Sequence, residues 1–506
     1  MAVQLDTKPF WMENAGFSEF PKLARNEHAD VVIVGGGITG LTTAYLLSKA
    51  GRSVVVLERR RLATIDTACT TAHLTMVTDL RLTNLVSSFG RDHARAAWDA
   101  GLAAIAQIDD IVREEEIACN FSWVPGFLHA AGPNSAAEDL ASLEEEASLA
   151  AELGFDAAFV NDVPVVNQPG VRFEDQARFH PRKYLARLAD AITASGGRIY
   201  EQSEAEDFSD QPRSVAANGC TVTCDDVVLA THTPLMGTAN LVGATLRQTK
   251  LALYTSYVVG GRVPKNHVPD VLLWDTADPY HYLRVEPFSR HDFVIFGGED
   301  HKTGQADSTV NCYERLERKV RRLIPAIEIT HHWSGQVIET ADGLPYIGET
   351  AEHQFAATGF SGNGMTFGTL AGMMACDYVL GRKNPWRDLF DIGRKKILGA
   401  AWDYLKENKD YPYYLIRDRF AGAETRSLRT IRRGHGALVK QDGKSAAVYR
   451  DERGAVTKVS AVCTHMGCLV NWNEAERTWD CPCHGSRFET DGTVIAGPAE
   501  KPLEKL

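Results

Sequence analysis

The start of the chain alternates between hydrophobic runs and short glycine-rich breaks. Residues 31–34 are Val-Val-Ile-Val, and apolar side chains recur at helical spacing over Leu41–Leu47. A glycine-rich segment, 35–40, separates these runs, and a second β-branched run, Ser53–Leu57, comes next. This order predicts a strand, a tight turn, a helix and a second strand parallel to the first.

Longer amphipathic stretches follow and predict helices at Phe89–Ile117, Ala136–Leu153 and His180–Ser195. Their acidic runs, Glu114–Glu116 and Glu144–Glu146, fit solvated helix faces better than catalytic carboxylates. We therefore interpret these helices as scaffold.

The pattern becomes strand-like over residues 251–298, where short apolar runs are separated by polar turns. This predicts an antiparallel sheet inserted at about residues 245–335. Short apolar runs between Gly and Asp turns predict a small all-β domain at the end of the chain. The predicted order is an N-terminal arm at 1–28, an α/β domain at 29–400, a connector at 401–424 and the all-β domain at 425–506.

Composition limits the classes of partner. The 44% hydrophobic and 24% charged content of the 506 residues is that of a globular protein. A formal net charge of −12 argues against nucleic acid or an anionic membrane surface as the main partner. No apolar run reaches the ~18 residues of a membrane-spanning helix, and the N-terminus lacks an apolar leader. We therefore expect a cytoplasmic protein without a membrane span.

The first glycine-rich segment has the spacing Gly35-x-Gly37-x-x-Gly40, and Glu58 ends the second predicted strand. Glycines let the backbone approach a pyrophosphate, the helix N-terminus stabilises its charge, and an acid in this place can bind a ribose hydroxyl. Strand, turn, helix, strand and acid in register predict a dinucleotide site. The motif itself does not distinguish FAD from NAD.

A second set of chemical residues lies in two short segments, C-T-H-M-G-C at 463–468 and C-P-C-H-G-S at 481–486. Two Cys and two His suit a [2Fe–2S] cluster with one iron bound by thiolates and the other by imidazoles. The alternative is a tetrahedral zinc site or a disulfide knot, because Cys and His clusters commonly bind zinc. The extra cysteine in each segment, together with Pro482, Gly485 and Ser486, weighs against zinc.

These two segments resemble the Rieske iron–sulfur family. The resemblance implies that the cluster ligands are Cys463, His465, Cys481 and His484. It also implies a disulfide between Cys468 and Cys483. Ser486 matches the serine that donates a hydrogen bond to a cluster sulfur, whereas Phe488 stands where high-potential members have tyrosine. We expect a potential within the Rieske range but below its upper end.

Residues 28–400 resemble the flavoprotein family that includes D-amino acid, glycine and sarcosine oxidases. The resemblance rests on the first βαβ unit, the strand pattern at 221–231, and T-A-D-G-L-P-Y-I-G at 340–348 with the glycine-rich helix start that follows. It implies FAD, bound by an α/β Rossmann-like domain, and an antiparallel substrate sheet. The matching cofactor-binding positions are Gly35, Gly37, Gly40, Glu58, Arg59, Thr71, Thr231, Gly362, Gly364 and Met365. An ordinary polar loop is the alternative for the segment around Thr71.

The resemblance implies a substrate pocket between the flavin and the inserted sheet. Catalytic residues are not identified; the polar candidates for this pocket are His73, Tyr254, Tyr282 and Arg284, with Tyr257, His281 and the loop Gly297–Lys302 as further ones. Arg284 can bind a carboxylate through two hydrogen bonds, and a solvent-facing strand arginine is the alternative.

A flavin takes up two electrons together, whereas a Rieske cluster carries one at a time. We therefore expect FAD-dependent oxidation of a small amine or amino acid, with electrons leaving singly through the cluster to an external acceptor. One alternative is the reverse flow, in which a donor reduces the cluster and the flavin acts as a reductase or monooxygenase. Another is a redox-sensing electron carrier without an organic substrate.

Overall fold

A computed structural model describes residues 7–13, 15–132, 137–233, 251–306, 308–394, 431–441 and 444–506. The predicted connector at 401–424 lies outside the described residues. The α-helices are α1 (Ile38–Lys49), α2 (Asp66–Cys69), α3 (Leu82–Phe89), α4 (Arg91–Glu114), α5 (Ala137–Glu152), α6 (Pro181–Ala194), α7 (Thr309–Leu323), α8 (Gly364–Val379) and α9 (Arg387–Phe390). Short 3-10 helices cover Phe10–Met12 and Ser361–Asn363.

The strands fall into an N-terminal and a C-terminal group. The first group is β1 (Glu27–His28), β2 (Val31–Val34), β3 (Val54–Leu57), β4 (His73–Leu74), β5 (Ser122–His129), β6 (Ala157–Val163), β7 (Gln168–Arg178), β8 (Arg198–Tyr200), β9 (Asp207–Asp210), β10 (Arg213–Ala217), β11 (Cys220–Thr223) and β12 (Asp226–Leu229). The second is β13 (Leu251–Pro264), β14 (Leu272–Asp275), β15 (Tyr282–Pro287), β16 (His291–Lys302), β17 (Glu328–Thr340), β18 (Tyr346–Ala351), β19 (Gln354–Thr358), β20 (His435–Gln441), β21 (Lys444–Arg450), β22 (Val456–Ser460), β23 (Asn471–Asn473), β24 (Thr478–Asp480), β25 (Arg487–Phe488) and β26 (Val494–Ala496).

The predicted βαβ unit forms the centre of a six-stranded sheet, in the order β18-β19-β12-β2-β3-β8. Strands β2 and β3 are parallel neighbours, and every residue of both is buried. Continuous burial on both faces explains why these strands are uniformly apolar rather than alternating. The helix α1 packs against α8, so the two glycine-rich helix starts, far apart in sequence, lie on one side of this sheet.

The second large sheet has nine strands, in the order β17-β13-β16-β15-β14-β5-β7-β4, with β6 paired to β7. Five of them, β13–β17, come from the inserted segment predicted at 245–335, and β4–β7 come from earlier residues. The neighbours are antiparallel except β14 and β5, which run parallel. This sheet is therefore mixed and larger than the sequence pattern indicates.

The N-terminal arm is held to the α/β domain. Strand β1 pairs with β11, and Trp11 is buried, with its indole N–H donating to the carbonyl of Thr70 at 2.6 Å. Cys220 lies on β11 and Cys224 just after it, and both are free thiols. In the part of the chain that the structure describes, none of the helices has the length and apolar character needed to cross a bilayer. The cytoplasmic location stays a prediction.

The C-terminal domain is small and all-β, as predicted. Strands β20–β22 form one antiparallel sheet and β23–β26 another. Its core contains the fully buried Trp479 and Phe488. The two segments that carry Cys and His lie before β23 and between β24 and β25, so both are loops anchored by the same small core.

Candidate functional site

A cavity of about 740 Å³ runs between the six-stranded and nine-stranded sheets. Its walls include the first glycine-rich turn, the start of α8 and the inner face of the larger sheet. A segment of the C-terminal domain, residues 496–501, supplies five of its lining residues, so both domains enclose the same space. The residues that line the cavity include the predicted dinucleotide turn and part of the predicted substrate pocket, so the cavity joins these two regions.

The dinucleotide end of the cavity is built by backbone groups. Gly35 has φ +111°, and a side chain there would overlap the carbonyl of Ala230. Gly37 precedes α1 without a side-chain cap, which suits the N-terminal N–H groups of this helix to an anionic group. Glu58 accepts the N–H of Gly36 at 2.8 Å and borders the cavity, and burial raises its pKa. This geometry fits the ADP half of a dinucleotide.

Gly40 has a different role from the other two glycines. It does not line the cavity; a side chain there would overlap the carbonyl of Gly35. Gly40 therefore lets α1 start close against the turn, which is the packing role of the third glycine in such motifs. Arg59 lines the cavity, and its guanidinium donates to the carbonyl of Ile495 in the C-terminal domain.

The other predicted cofactor contacts lie together further along the cavity. The lining residues there include Thr71, Thr231, Gly362, Gly364 and Met365. The helix α8 begins at Gly364, so a second helix N-terminus faces this space. A cavity with a helix N-terminus near each end fits a long, anionic dinucleotide.

Two of the four substrate candidates line the cavity. Tyr282 and His73 do so, with their rings edge to face at 5.8 Å between centroids. Burial lowers the pKa of His73 to about 3, so its imidazole is neutral at pH 7. Tyr254, on β13, is not among the described lining residues, and neither are Tyr257 and His281.

Arg284 faces neither solvent nor the cavity. Its side chain is 0% exposed, and its guanidinium forms an ion pair with the equally buried Glu286. It also donates to the carbonyls of Ala72 and Phe179 at 2.7 and 3.1 Å. Arg284 thus joins the nine-stranded sheet to the loop that carries Thr71, and the solvent-facing alternative is wrong because the pair is enclosed by backbone carbonyls.

Four polar residues that line the cavity were not individually predicted as site residues: Asp79, Ser256, Tyr280 and Asp300. Ser256 Oγ donates to Asp300 Oδ1 at 2.5 Å and lies 2.6 Å from the hydroxyl of Tyr282. Asp79 accepts the N–H of Gly362 at 2.6 Å and the hydroxyl of Tyr280 at 3.3 Å. Asp300 lies in the predicted candidate loop 297–302, whereas nothing in the local pattern marks Asp79.

The four predicted cluster ligands come together at the tips of two loops. The thiols of Cys463 and Cys481 are hydrogen-bonded to each other, which lowers the pKa of Cys463 to about 7 and raises that of Cys481. The rings of His465 and His484 are 4.9 Å apart between centroids. Burial lowers the pKa of both imidazoles to about 4, so both are neutral, as metal ligands must be. Two thiols and two neutral imidazoles fit a Rieske cluster.

The predicted disulfide is confirmed. Cys468 and Cys483 are bonded and join the two loops across 15 positions of sequence. Their sulfurs and that of Cys481 lie within 4.8 Å of one another, a spacing that could suggest a three-cysteine metal site. Because two of the three sulfurs are in the disulfide, only Cys481 of this group is available as a ligand.

Comparison with known proteins decides the family. The model for FAD dependent oxidoreductases matches residues 30–378, and the model for Rieske [2Fe-2S] domains matches residues 424–506. The chain belongs to the FAD dependent oxidoreductase family. Its C-terminal part is a Rieske domain. The FAD dependent oxidoreductase domain binds FAD, and the Rieske domain binds a [2Fe–2S] cluster, which excludes the zinc alternative.

Relatives extend this assignment. The chain is 32% identical to YhfW of Bacillus subtilis (strain 168), which is named as a Rieske 2Fe-2S iron-sulfur protein, over 98% of this chain and 97% of that one. It is 25% identical to gamma-glutamylputrescine oxidoreductase of Escherichia coli (strain K12), over 80% of this chain and 96% of that enzyme. Glycine oxidase from Geobacillus kaustophilus has the same fold over 73% of this chain, with a TM-score of 0.61 and 18% identity.

The Rieske domain of this oxidoreductase contacts the flavin domain through the second cluster loop, residues 481–486. Gln336 Nε2 on β17 donates to the carbonyl of Gly485 at 2.6 Å, and Gln305 Nε2 donates to that of Pro482 at 2.9 Å. In addition, Arg60 forms an ion pair with Glu489 at 3.3 Å. The loop that contains Cys481 and His484 therefore lies directly against the sheet that covers the FAD cavity.

Proposed function

We propose that this flavoprotein oxidises a C–N bond of a small amine or amino acid and passes the electrons singly through its cluster to an external acceptor. The observation that carries the proposal is the contact between Gln336, which lines the cavity, and Gly485, which lies in the second cluster loop. Relatives named as a gamma-glutamylputrescine oxidoreductase and a glycine oxidase support the reaction class.

Bound FAD would supply the redox chemistry, because a flavin accepts the two electrons of C–N oxidation as a hydride equivalent. The protein's part is to hold the substrate carbon against it and to exclude water. Tyr282, His73 and Ser256 form a hydrogen-bonded and aromatic wall at the substrate end. A neutral His73 beside Tyr282 adds no charge that would oppose loss of a hydride from an amine.

The proposed cofactor contacts follow from the cavity lining. Gly35, Gly37, Glu58 and Arg59 would hold the ADP half, with Thr71, Thr231, Gly362, Gly364 and Met365 nearer the flavin. Gly40 would act by packing α1 against the turn. Tyr254 and Arg284 receive no substrate role in this proposal, since neither is among the described cavity-lining residues.

The two cluster loops face different surroundings, which indicates where an external partner can approach the cluster. The second loop is packed on the flavin domain, whereas Val462 is 43% exposed and Thr464 and Gly467 in the first loop are also exposed. We place the external one-electron partner at the first loop, because an acceptor there approaches His465 without displacing the flavin domain. Cys463, His465, Cys481 and His484 are the proposed ligands.

Anaerobic mixing with amines and amino acids tests the proposal. Flavin absorbance reports substrate oxidation, and electron paramagnetic resonance of the same sample reports cluster reduction. Loss of flavin absorbance followed by the cluster signal is expected. If no amine or amino acid bleaches the flavin while NADPH or another donor reduces the cluster first, the reverse flow replaces this proposal.

A further inference from the structure

Two carboxylates line the substrate end of the FAD cavity. Asp300 lies near the end of β16, and Asp79 lies in the segment between β4 and α3. Both line the cavity together with Tyr280 and Tyr282. Asp79 accepts the hydroxyl of Tyr280, whose ring lies 5.7 Å from that of Tyr282 between centroids. The hydroxyl of Tyr282 lies 2.6 Å from Ser256 Oγ, which donates to Asp300. The two acids thus border one part of the cavity.

Neither carboxylate has a cationic side-chain partner among the described residues. Among the residues that the structure describes, no Lys, Arg or His forms an ion pair with Asp79 or Asp300. The hydrogen-bond donors to Asp79 are a backbone N–H and a tyrosine hydroxyl. For Asp300, Ser256 donates to Oδ1, and no described side chain donates to Oδ2. A cationic ligand would supply the missing partner.

The arginines of the cavity are engaged elsewhere. Arg59 donates to the carbonyl of Ile495, Arg61 pairs with Glu201 at 2.8 Å, and Arg81 donates to Ser142 at 2.6 Å. If the substrate had a carboxylate at this end of the cavity, that group would lie near two protein carboxylates. None of the described arginines would face it. Like charges at short range in a low-dielectric site repel strongly.

The remaining walls also suit a cation. Tyr280 and Tyr282 stand 5.7 Å apart between ring centroids, and aromatic faces attract ammonium groups. Val258 and Val337 line the cavity as well and give an alkyl chain an apolar surface. The site therefore combines an acidic end, aromatic rings and an aliphatic wall, which matches an alkylammonium ion.

We propose that Asp300 and Asp79 form an ammonium-binding subsite and that the substrate is an alkylamine cation without an α-carboxylate. This inference rests on the proposed C–N oxidation, and it narrows the substrate from amines and amino acids to amines. Asp300 is the principal contact because it lines the cavity and only its Oδ1 accepts a described hydrogen bond, whereas Asp79 is partly used in holding Gly362.

Two ions that share a tert-butyl group test the subsite without turnover. tert-Butylammonium has no oxidisable C–H beside nitrogen, and pivalate has a negative carboxylate on the same tert-butyl group. Each is titrated into the FAD-loaded, full-length protein, and binding is followed by the change in flavin absorbance. The cation is expected to bind at least about tenfold more tightly, and Asp300→Asn should weaken it about tenfold. Asp110→Asn, which removes an equal charge from the exposed face of α4, should leave affinity within about twofold.

Measurement of flavin reduction by substrates distinguishes failure of the ammonium subsite from failure of the proposed C–N oxidation. n-Butylamine and 2-aminopentanoate differ by one carboxylate, and n-butylamine should reduce the flavin faster. Equal or tighter binding of pivalate, unchanged cation affinity in Asp300→Asn, or faster reduction by 2-aminopentanoate would overturn the ammonium subsite. Selective cation binding that depends on Asp300, with no flavin reduction by any amine, would support the subsite and contradict C–N oxidation.

Discussion

Gln336 Nε2 lies 2.6 Å from the carbonyl oxygen of Gly485, so a side chain that lines the FAD cavity is hydrogen-bonded to the second cluster loop. The two residues are 149 positions apart in the chain. Gln336 is buried, and its Nε2 also lies 3.3 Å from Thr303 Oγ1, which fixes the amide. The FAD cavity and the second cluster loop are therefore connected through the side chain of Gln336 and one hydrogen bond.

Replacement of Gln336 by leucine should slow electron transfer from flavin to cluster without slowing flavin reduction. Loss of one buried hydrogen bond costs about 1 kcal/mol. This lowers the equilibrium constant for docking of the Rieske domain on the flavin domain about fivefold. Stopped-flow absorbance measures the flavin phase, and rapid-freeze electron paramagnetic resonance measures the cluster phase. The control is Gln107→Leu on α4, away from the cavity lining. Equal cluster rates in both variants would show that the Gln336 contact is not part of the route.

The cluster potential should depend on two positions near its ligands. Ser486 accepts the N–H of Ala499 at 3.1 Å, and its hydroxyl is hydrogen-bonded to Cys463. Because a donor to sulfur stabilises the reduced cluster, Ser486→Ala should lower the midpoint potential by tens of millivolts, and Phe488→Tyr should raise it. A preference of about 1.4 kcal/mol corresponds to about 59 mV for one electron. Potentiometric titration followed by electron paramagnetic resonance measures both midpoint potentials. An unchanged potential, or a shift in the opposite direction, contradicts the predicted role of these two positions.

The disulfide should stabilise the cluster loops. The bond between Cys468 and Cys483 closes a loop of 15 positions, for which chain entropy predicts about 3 kcal/mol. The double variant Cys468→Ser/Cys483→Ser should lose the visible cluster spectrum at a lower temperature, while the flavin spectrum persists. Cys220→Ser, a free thiol on β11, serves as the control. Equal cluster loss in the two proteins would mean that the disulfide does not hold the loops.

Binding of ammonium should weaken as pH falls. Burial raises the pKa of Asp300 to about 7, and the nearby Asp79 and Glu299 add to this effect. Burial also raises the pKa of Asp79 and of both tyrosines, and it lowers that of His73 to about 3, so the tyrosines and the imidazole stay neutral near pH 7. Below pH 7 the protonated Asp300 attracts a cation less, so the Kd of tert-butylammonium should rise toward tenfold per pH unit.

The measurement runs from about pH 8 to pH 6, where alkylammonium ions remain charged because their pKa is near 10. Asp300→Asn should flatten the dependence. A steep dependence that survives in Asp300→Asn would assign the titration to another residue.

The buried pair of Arg284 and Glu286 should matter for stability. Arg284→Met leaves Glu286 without its cation inside the sheet, which typically costs about 3–5 kcal/mol. Thermal loss of flavin absorbance should occur earlier, and Arg284→Met/Glu286→Gln should recover part of the difference. The affinity for tert-butylammonium should stay unchanged in any variant that retains FAD. A selective loss of ligand affinity at unchanged stability would return Arg284 to the substrate site.

Local motifs carried much of the prediction. The glycine turn at 35–40 and the segments 463–468 and 481–486 have fixed spacing because each serves one centre with contiguous backbone. The spacing therefore predicts a dinucleotide site and a metal centre, whereas FAD, the cluster ligands and the disulfide were implied by the resemblance to the two families. The ion pair of Arg284 and Glu286 could also have been predicted, because residues two apart on a strand lie on the same face.

Long-range relationships could not be read in the same way. Asp79 and Asp300 are far apart in sequence, and only the nine-stranded sheet and the segment before α3 bring them to one cavity. Four strands of that sheet come from residues 73–178, where short or irregular alternation gives a weak signal. The contact between Gln336 and Gly485 depends on domain docking, which no local pattern specifies.

Electron transfer from the flavin to the cluster is tested most directly by a rapid-freeze experiment on anaerobic, full-length protein mixed with n-butylamine. Flavin absorbance and the resonance signal of the reduced cluster are followed in the same samples. The cluster signal is expected to rise as the reduced flavin passes one electron to the cluster, with no added mediator. Complete flavin reduction by the amine while the cluster stays oxidised would contradict it.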